Sequence, residues 1–156
     1  MPKCYQLVGV PGSGKSTWIK EQVWALGMTV VSTDTFVESY AHNQGKTYTE
    51  VFNDYMPTAV KLMADQVVVC RENSLDVMWD QTSTTVLSRK KKFNMLPNYE
   101  HIAVVFKTPG IEELQRRLNS RPGKVIPFTV VRGMIECFEY PTLEEGLSKI
   151  ISVENS

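Results

Sequence analysis

The residues with the clearest chemical potential form a glycine-rich stretch near the N-terminus. Residues 9–17 read Gly-Val-Pro-Gly-Ser-Gly-Lys-Ser-Thr, which matches the Walker A pattern G-x-x-x-x-G-K-S/T. Glycines let the backbone turn its N–H groups inward, so that a phosphate chain can lie at the start of the following helix. We expect Lys15 to reach the β- and γ-phosphates and the Ser16 hydroxyl to bind Mg²⁺. In this loop we assign nucleotide binding to Gly12, Ser13, Gly14, Lys15, Ser16 and Thr17.

Two aspartates follow predicted strands, at the edge of an open sheet where ligands bind. Asp34 comes after residues 28–32, and a carboxylate there can accept the proton of a hydroxyl that attacks the γ-phosphate. The alternative is that Asp34 caps a helix that starts near Thr35. Asp80, at the end of a third strand, occupies a Walker B-like place and either holds the water shell of Mg²⁺, orients the acceptor, or only starts a turn.

Two arginines precede a break in the helical pattern. Arg117 and Arg121 are one helical turn apart and are expected to share a face, and residues 122–127 then break the helix before a new one that carries Arg132. This arrangement is typical of a lid that closes over ATP and delivers guanidinium groups to the transferring phosphate. The alternative is a surface hairpin whose arginines pair with Glu112, Glu113 or Glu136.

The elements that must position these residues alternate between strand and helix, which predicts a parallel α/β sheet. The predicted strands are residues 4–8, 28–32, 75–80, 102–106 and 147–153. The first predicted helix follows the Walker A loop and ends near Leu26, and the second starts near Thr35. Three more span residues 48–71, 84–93 and 111–119, and the last starts at Phe128. Gly27 is expected just after the first helix, residues 41–46 form a loop, and Pro57 kinks or divides the long helix.

Helical spacing also predicts which side chains face the core. In the long helix the spaced apolar residues are Val60, Met63, Val67 and Val68, and in the helix before the lid they are Leu114 and Leu118. The run Arg89–Lys92 wraps around its helix, which favours a solvated surface over a phosphate-binding patch.

Composition limits the classes of protein and partner. The 156 residues are enough for one compact domain, and the formal net charge of zero means that any binding to nucleic acid needs a local basic patch. The first residues lead straight into a strand, so we expect no signal peptide, and no apolar run is long enough to span a membrane. The three cysteines and two histidines are scattered, which argues against a zinc site and favours reduced thiols in the cytoplasm, or in the host cytoplasm if the source is viral.

Nearly the whole chain resembles the kinase domain of bacteriophage polynucleotide kinase. The Walker A loop matches down to the following Ser16-Thr17-Trp18, Asp34 falls on the family's general base, and Asp80 with Thr82 falls on its Asp-Thr segment. Arg117 and Arg121, the Lys-Val-Ile-Pro segment and Arg132 match its lid. The resemblance implies that these arginines contact ATP phosphates and flank the adenine, and that Val130 lines the base pocket.

The chain departs from that family at two points. The family carries an arginine three residues after its base, which binds the acceptor's phosphate, and here that position is Val37. The partner phosphatase domain has no counterpart, because no D-x-D-G-T motif occurs. The chain also resembles zeta-toxin-like and small-metabolite kinases, and phage kinases that phosphorylate 5-hydroxymethyluracil within DNA.

We therefore expect residues 1–156 to form a single P-loop kinase domain with a helical lid, dependent on ATP and Mg²⁺. Lys15, Asp34 and Arg121 are the expected catalytic residues, and Asp34, Asp80 and Thr82 face the acceptor. The expected acceptor is a 5′-OH end of DNA or RNA, then a base hydroxymethyl group, then a metabolite. The alternative outside enzymology is an NTP-binding switch. The oligomeric state is left open, and no membrane partner is expected.

Overall fold

A computed structural model describes residues 1–22, 25 and 27–154, and it contains one parallel sheet. The strands are β1 (Lys3–Val8), β2 (Thr29–Val31), β3 (Val77–Trp79), β4 (Glu100–Phe106) and β5 (Lys149–Val153), in the order β2-β3-β1-β4-β5. The helices are α1 (Lys15–Glu21), α2 (Thr33–Asn43), α3 (Tyr48–Glu72), α4 (Val86–Met95), α5 (Ile111–Asn119) and α6 (Phe128–Glu136). The predicted α/β class, with helices flanking a parallel sheet, is confirmed.

The sheet is a buried layer, as parallel sheets normally are. β1 lies at its centre, where Leu7 pairs with Val104 of β4 and neither side chain is exposed. The apolar strand residues pack against helices on both faces; Trp79, for example, joins a core cluster with Met63 and Val67 of α3. Burial on both faces explains the continuous β-branched runs in the sequence.

Three neighbouring strands end at the same edge and carry the residues of interest. The chain passes from β1 into the Walker A loop, from β2 into α2, and from β3 into Asp80. A hydrogen bond of 2.9 Å from Gly9 N to Thr82 O joins the segment after β3 to the loop after β1. Adjacent, parallel strand ends therefore bring distant parts of the sequence together.

Several predicted helix limits were wrong. α1 ends at Glu21, and the predicted end at Leu26 lies outside the described residues. α2 starts at Thr33 because Ser32 caps its first turn by accepting a hydrogen bond from Asp34 N, so the cap is not Asp34. The helix continues to Asn43, into the segment predicted as a loop. α3 runs unbroken through Pro57, and Val60 on it is 47% exposed instead of facing the core.

The expected solvated surface at residues 89–92 was also wrong for two of its four cations. Arg89 is fully buried and Lys92 is nearly so, with its ammonium 5.4 Å from the centre of the Trp79 ring. Arg89 finds a carboxylate partner at 2.8 Å in Glu145, far along the chain, which local helical spacing could not reveal. Lys90 and Lys91 are exposed.

No helix in the described part of the chain combines the length and apolarity needed to cross a bilayer.

Candidate active site

The Walker A loop forms a tight cradle that requires its glycines. Gly12 and Gly14 have φ angles of 85° and 99°, a region that favours glycine. A Cβ atom at Gly9 would lie 2.5 Å from Ser13 Oγ, and one at Gly12 would lie 2.9 Å from a Leu114 methyl carbon. The loop backbone is therefore held close to α5 and leads directly into α1, where its N–H groups can meet a phosphate chain.

The Lys15 ammonium donates to two carbonyl oxygens of the same loop. Its Nζ atom lies 2.7 Å from Gly9 O and 3.0 Å from Val10 O. Burial lowers the pKa of Lys15 to about 8, although the Asp80 carboxylate acts in the opposite direction. An anion in the cradle would offset this burial, so Lys15 is suited to bind phosphate.

The Asp34 carboxylate, near the start of α2, accepts hydrogen bonds from two other elements. Tyr48 at the start of α3 donates its hydroxyl to Oδ1 at 2.6 Å, and Lys124 donates to Oδ2 at 2.9 Å. Burial acts to raise the pKa of Asp34, but Lys124 and Tyr48 outweigh it and hold that pKa below its usual range. Asp34 is therefore ionised at neutral pH and has a defined orientation.

Asp80 lies beside the loop, immediately after β3. Its backbone N–H donates to Val31 O at 2.8 Å, which ties the end of β3 to the end of β2. Burial raises the pKa of this carboxyl, and the nearby Lys15 opposes the rise. Asp80 thus lines the same cleft as Lys15 and interacts with its charge.

Arg117 and Arg121, the two arginines before the predicted break in the helical pattern, have different structural environments. Arg117, on α5, is paired with Glu113 at 2.8 Å and also donates to Gly12 O at 3.1 Å, so the alternative of a glutamate pair is realised in part. Arg121 lies beyond the end of α5 at Asn119, so the expected shared helical face was wrong, although both side chains line the same cleft.

The segment between α5 and α6 crosses the cleft and contacts the start of α3. Gly123 O accepts a hydrogen bond from Thr49 N at 3.1 Å, and Val125 N donates to Thr49 Oγ1 at 2.8 Å. Gly123 has a φ of 70°, and a Cβ there would lie 3.0 Å from Thr47. We call residues 120–127 the bridging loop, because they join the lid side of the cleft to the α2–α3 side.

All of these groups surround one cleft with a volume of about 1700 Å³. Of the predicted site residues it is lined by Gly12, Gly14, Lys15, Ser16, Thr17, Asp34, Asp80, Thr82, Arg117, Arg121 and Val130. Ser13 is buried beneath the loop. Arg132 lies outside the set of described residues that line the cleft, with its guanidinium 5.6 Å from the Phe128 ring.

Sequence reasoning missed two residues that contact Asp34 directly, Tyr48 and Lys124. Neither belongs to the Walker A pattern, and Lys124 is 90 positions from Asp34. The only available signal was that Lys124 opens the Lys-Val-Ile-Pro segment of the expected lid. Val37 is fully buried in the cluster between α2 and α3, so it does not face the cleft.

Comparison with known proteins gives a family and a set of similar folds. A family model described as AAA domain matches residues 6–141 of the chain. A putative kinase from Chloroflexus aurantiacus J-10-fl is 16% identical with a TM-score of 0.70, over 98% of this chain and 88% of that one. A gluconokinase from Sinorhizobium meliloti 1021 is 19% identical with a TM-score of 0.55, over 98% and 82%. These likenesses show the P-loop kinase fold.

A further similar structure is the Pnkp1/Rnl/Hen1 RNA repair complex. The matching chain is 25% identical with a TM-score of 0.66, and the match covers 86% of this chain but 43% of that one. The present chain therefore spans less than half the length of that relative.

Proposed function

We propose that this chain, which belongs to the AAA domain family, is an ATP-dependent kinase that phosphorylates a hydroxyl of nucleic acid, with the 5′-OH end of DNA or RNA as its main acceptor. The kinase-like P-loop fold itself implies nucleotide binding. The observation that carries the proposal is an ionised carboxylate, Asp34, in the same cleft as Lys15 of the Walker A loop. A protein that only bound nucleotide as a switch would need no such group there.

In this proposal each residue of the cleft has a distinct task. Lys15 and the loop N–H groups bind the β- and γ-phosphates, and Asp34 accepts the proton of the attacking hydroxyl. Arg117 and Arg121 approach the phosphates from the lid side, where charge develops during transfer. Thr82 and Asp80 face the acceptor, and Val130 lines the pocket for the nucleotide base.

Ser16 and Asp80 are the residues that would hold Mg²⁺, Ser16 through its hydroxyl and Asp80 through water. Hydroxyl and carboxylate oxygens are the donors that this hard cation prefers. The glycine cradle fits the associated phosphates, because a Cβ at Gly9 or Gly12 would collide with its neighbours. When bound, Mg²⁺ neutralises charge on the β- and γ-phosphates.

Nucleic acid is favoured as the acceptor by the likeness to the RNA repair complex. Two structures of the Pnkp1/Rnl/Hen1 complex contain chains that are 25% and 26% identical to this one. Because the net charge is zero, we expect modest affinity and few phosphate contacts. We treat residues 1–156 as one kinase domain.

The decisive experiment offers radiolabelled ATP and Mg²⁺ to a 5′-OH DNA strand, a 5′-OH RNA strand, hydroxymethyluracil-containing DNA with blocked ends, and a neutral sugar. We expect label on the 5′-OH strands, none with blocked ends, and loss of labelling when EDTA removes Mg²⁺.

Labelling of end-blocked DNA would move the acceptor to the base hydroxymethyl group. Transfer to the sugar with no labelled polymer would overturn the nucleic-acid proposal. ATP binding without transfer to any acceptor in a single turnover would identify a switch.

A further inference from the structure

The Lys124 ammonium is fixed on the side of the cleft that faces the proposed acceptor. Its Nζ atom lies 2.9 Å from Asp34 Oδ2 and 3.5 Å from Glu38 Oε1, and 4.4 Å from the centre of the Tyr48 ring. Only 16% of its side chain is exposed. The charge is therefore held in place before any ligand arrives, which reduces the entropy lost when it binds one.

Proton transfer to Asp34 would leave the ammonium with one more distant anionic partner, Glu38 at 3.5 Å. Both carboxylate oxygens already accept a hydrogen bond, one from Tyr48 and one from Lys124. A hydroxyl that gives its proton to Asp34 can use a remaining lone pair of either oxygen, and the transfer removes the negative charge that Lys124 meets at 2.9 Å. The ammonium then lies near the reacting hydroxyl, and desolvation makes a weakly paired charge there costly.

Two other cations that line the cleft, Lys15 and Arg117, contact the Walker A loop, and Lys46 is exposed in the loop between α2 and α3. Lys15 donates to the Walker A loop carbonyls, and Arg117 pairs with Glu113 and Gly12 O. On α2 the residue one turn after Asp34 is Val37, whose side chain is fully buried away from the cleft. A cation for the acceptor side therefore comes from the bridging loop instead of from α2.

We propose that Lys124 binds the phosphate group next to the acceptor hydroxyl, and so selects acceptors with a negative charge beside the reacting group. In a 5′-OH strand this group is the first internucleotide phosphate. The inference rests on the proposed function and names the contact that distinguishes a nucleic-acid end from a neutral sugar.

The test combines a change in the protein with a change in the acceptor. The full chain phosphorylates a short 5′-OH oligonucleotide and the same strand with a neutral methylphosphonate at its first linkage. The variants are Lys124→Gln, Lys124→Arg and Lys61→Gln, a control that removes an exposed charge on α3. In the wild type we expect neutralising the linkage to raise KM about 10- to 100-fold, which is the range for a lost hydrogen bond between charged groups.

Lys124→Gln should raise KM for the normal strand by a similar factor and respond little to the neutral linkage, while kcat changes less. Lys124→Arg should recover part of the selectivity, and Lys61→Gln should behave as the wild type does. If Lys124→Gln transfers too little phosphate to measure, equilibrium binding of the two strands by fluorescence anisotropy gives the same comparison.

The inference fails if Lys124→Gln loses as much affinity as the wild type when the linkage is neutralised, since the phosphate contact would then lie elsewhere. That result would leave the kinase proposal intact. Absence of transfer to either strand by the wild type, together with phosphorylation of a neutral sugar, would instead overturn both.

Discussion

Asp34 is oriented by donors from two different parts of the chain. The Tyr48 hydroxyl and the Lys124 ammonium each occupy one carboxylate oxygen, at 2.6 Å and 2.9 Å. These bonds keep the group ionised, and they also lower its basicity. As the proposed general base, Asp34 would work through its position beside the acceptor more than through a high pKa.

We predict that Asp34→Asn keeps ATP binding but loses phosphate transfer by about 10²–10⁴-fold, the usual cost of removing a general base. The amide is nearly the same shape and still accepts the Tyr48 hydrogen bond, but it cannot take a proton. Calorimetry with ATP and single-turnover transfer separate the two effects. The control is Glu38→Gln, which removes the other carboxylate near Lys124. Near-normal transfer by Asp34→Asn would direct the search for a base to Asp80.

The proposed phosphate-binding role of Lys15 can be tested separately from the role of Asp34. We predict that Lys15→Met lowers turnover at saturating ATP and Mg²⁺ by much more than tenfold. A tenfold loss alone corresponds to about 1.4 kcal/mol of barrier height. Its thermal unfolding should stay close to that of the wild type, because the ammonium hydrogen-bonds to two loop carbonyls instead of packing in the core. Lys20→Met, at an exposed position on the same helix, is the control. A loss of less than tenfold would rule out the phosphate role.

At the scale of elements, the bridging loop connects the lid to the acceptor side. Arg121 and Lys124 belong to the same short segment, and Thr49 fastens that segment to α3 through both its backbone and its hydroxyl. A movement of the segment would displace groups on both sides of the cleft together. In the proposed function, the nucleotide contacts and the acceptor contacts are therefore expected to move together.

We predict that Arg121→Ala lowers kcat more than it raises KM for ATP, by up to about 10³-fold, because a guanidinium that meets charge developing in the transition state stabilises that state selectively. Steady-state kinetics at varied ATP give the two constants. The matched control is Arg116→Ala, whose guanidinium is exposed and pairs with Glu113 at 2.6 Å on α5. Equal activity of Arg121→Ala and the wild type would contradict the lid hypothesis.

Strand β4, next to the central β1, carries a buried histidine that links stability to pH. His101 donates from Nε2 to Leu96 O at 2.9 Å and accepts at Nδ1 from the Gln6 amide at 3.1 Å. Burial lowers the pKa of His101 below its ordinary value of 6.5, although the Leu96 carbonyl opposes this. The neutral ring therefore suits the folded protein.

The unfolded chain binds a proton on this ring more readily than the folded chain does. The free energy of unfolding should hence fall as pH drops below about 6.5, by up to about 1.4 kcal/mol per pH unit until the folded-state pKa is passed. Urea unfolding at pH values from about 5 to about 8 measures this slope. His101→Gln should flatten it, and His42→Gln, at an exposed position, should not. A slope unchanged by His101→Gln would assign the effect to other groups.

At the scale of the whole molecule, Arg89 joins segments that are far apart in the chain. Its guanidinium donates to Ser83 O and Glu139 O, each at 2.8 Å, and pairs with the Glu145 carboxylate. Ser83 directly follows Thr82, whose carbonyl accepts the hydrogen bond from Gly9 N. The buried cation thus connects the C-terminal part of the chain to the segment that supports the Walker A loop.

We predict that Arg89→Ala destabilises the fold by about 3–5 kcal/mol, because it leaves a mostly buried carboxylate and two carbonyls without their partner. Lys90→Ala, at the next position but exposed, should change the free energy of unfolding by less than about 0.5 kcal/mol. Urea denaturation measures both. If Arg89→Ala does not fold, Glu145→Gln offers a milder test of the same pair. Equal stabilities of the Arg89 and Lys90 variants would refute a structural role.

The parts of the site that sequence could predict are those that follow a strand directly. The Walker A loop, Asp34 and Asp80 each follow a predicted strand, and parallel strand ends meet at one edge. Contacts between distant segments were not predictable. Lys124 reaches Asp34 across 90 positions, and Arg89 reaches Glu145 across 56, so neither pairing leaves a local pattern. Pro57 does not divide α3, because Val51 and Ala59 on either side of it pack against α2 and support the helix despite the missing N–H.

The central place of β1 in the sheet has a consequence for how the chain is made. Cys4 pairs with Val77 on one side and with His101 on the other, so β1 is synthesised before either of its neighbours. Non-local pairing of this kind slows folding, because loop entropy is lost before the contacts form. The phosphate cradle contacts Thr82 after β3 and Leu114 after β4, so we expect nucleotide-binding competence only after the chain through α5 has been made. Until then the apolar face of β1 is a surface that chaperones can recognise.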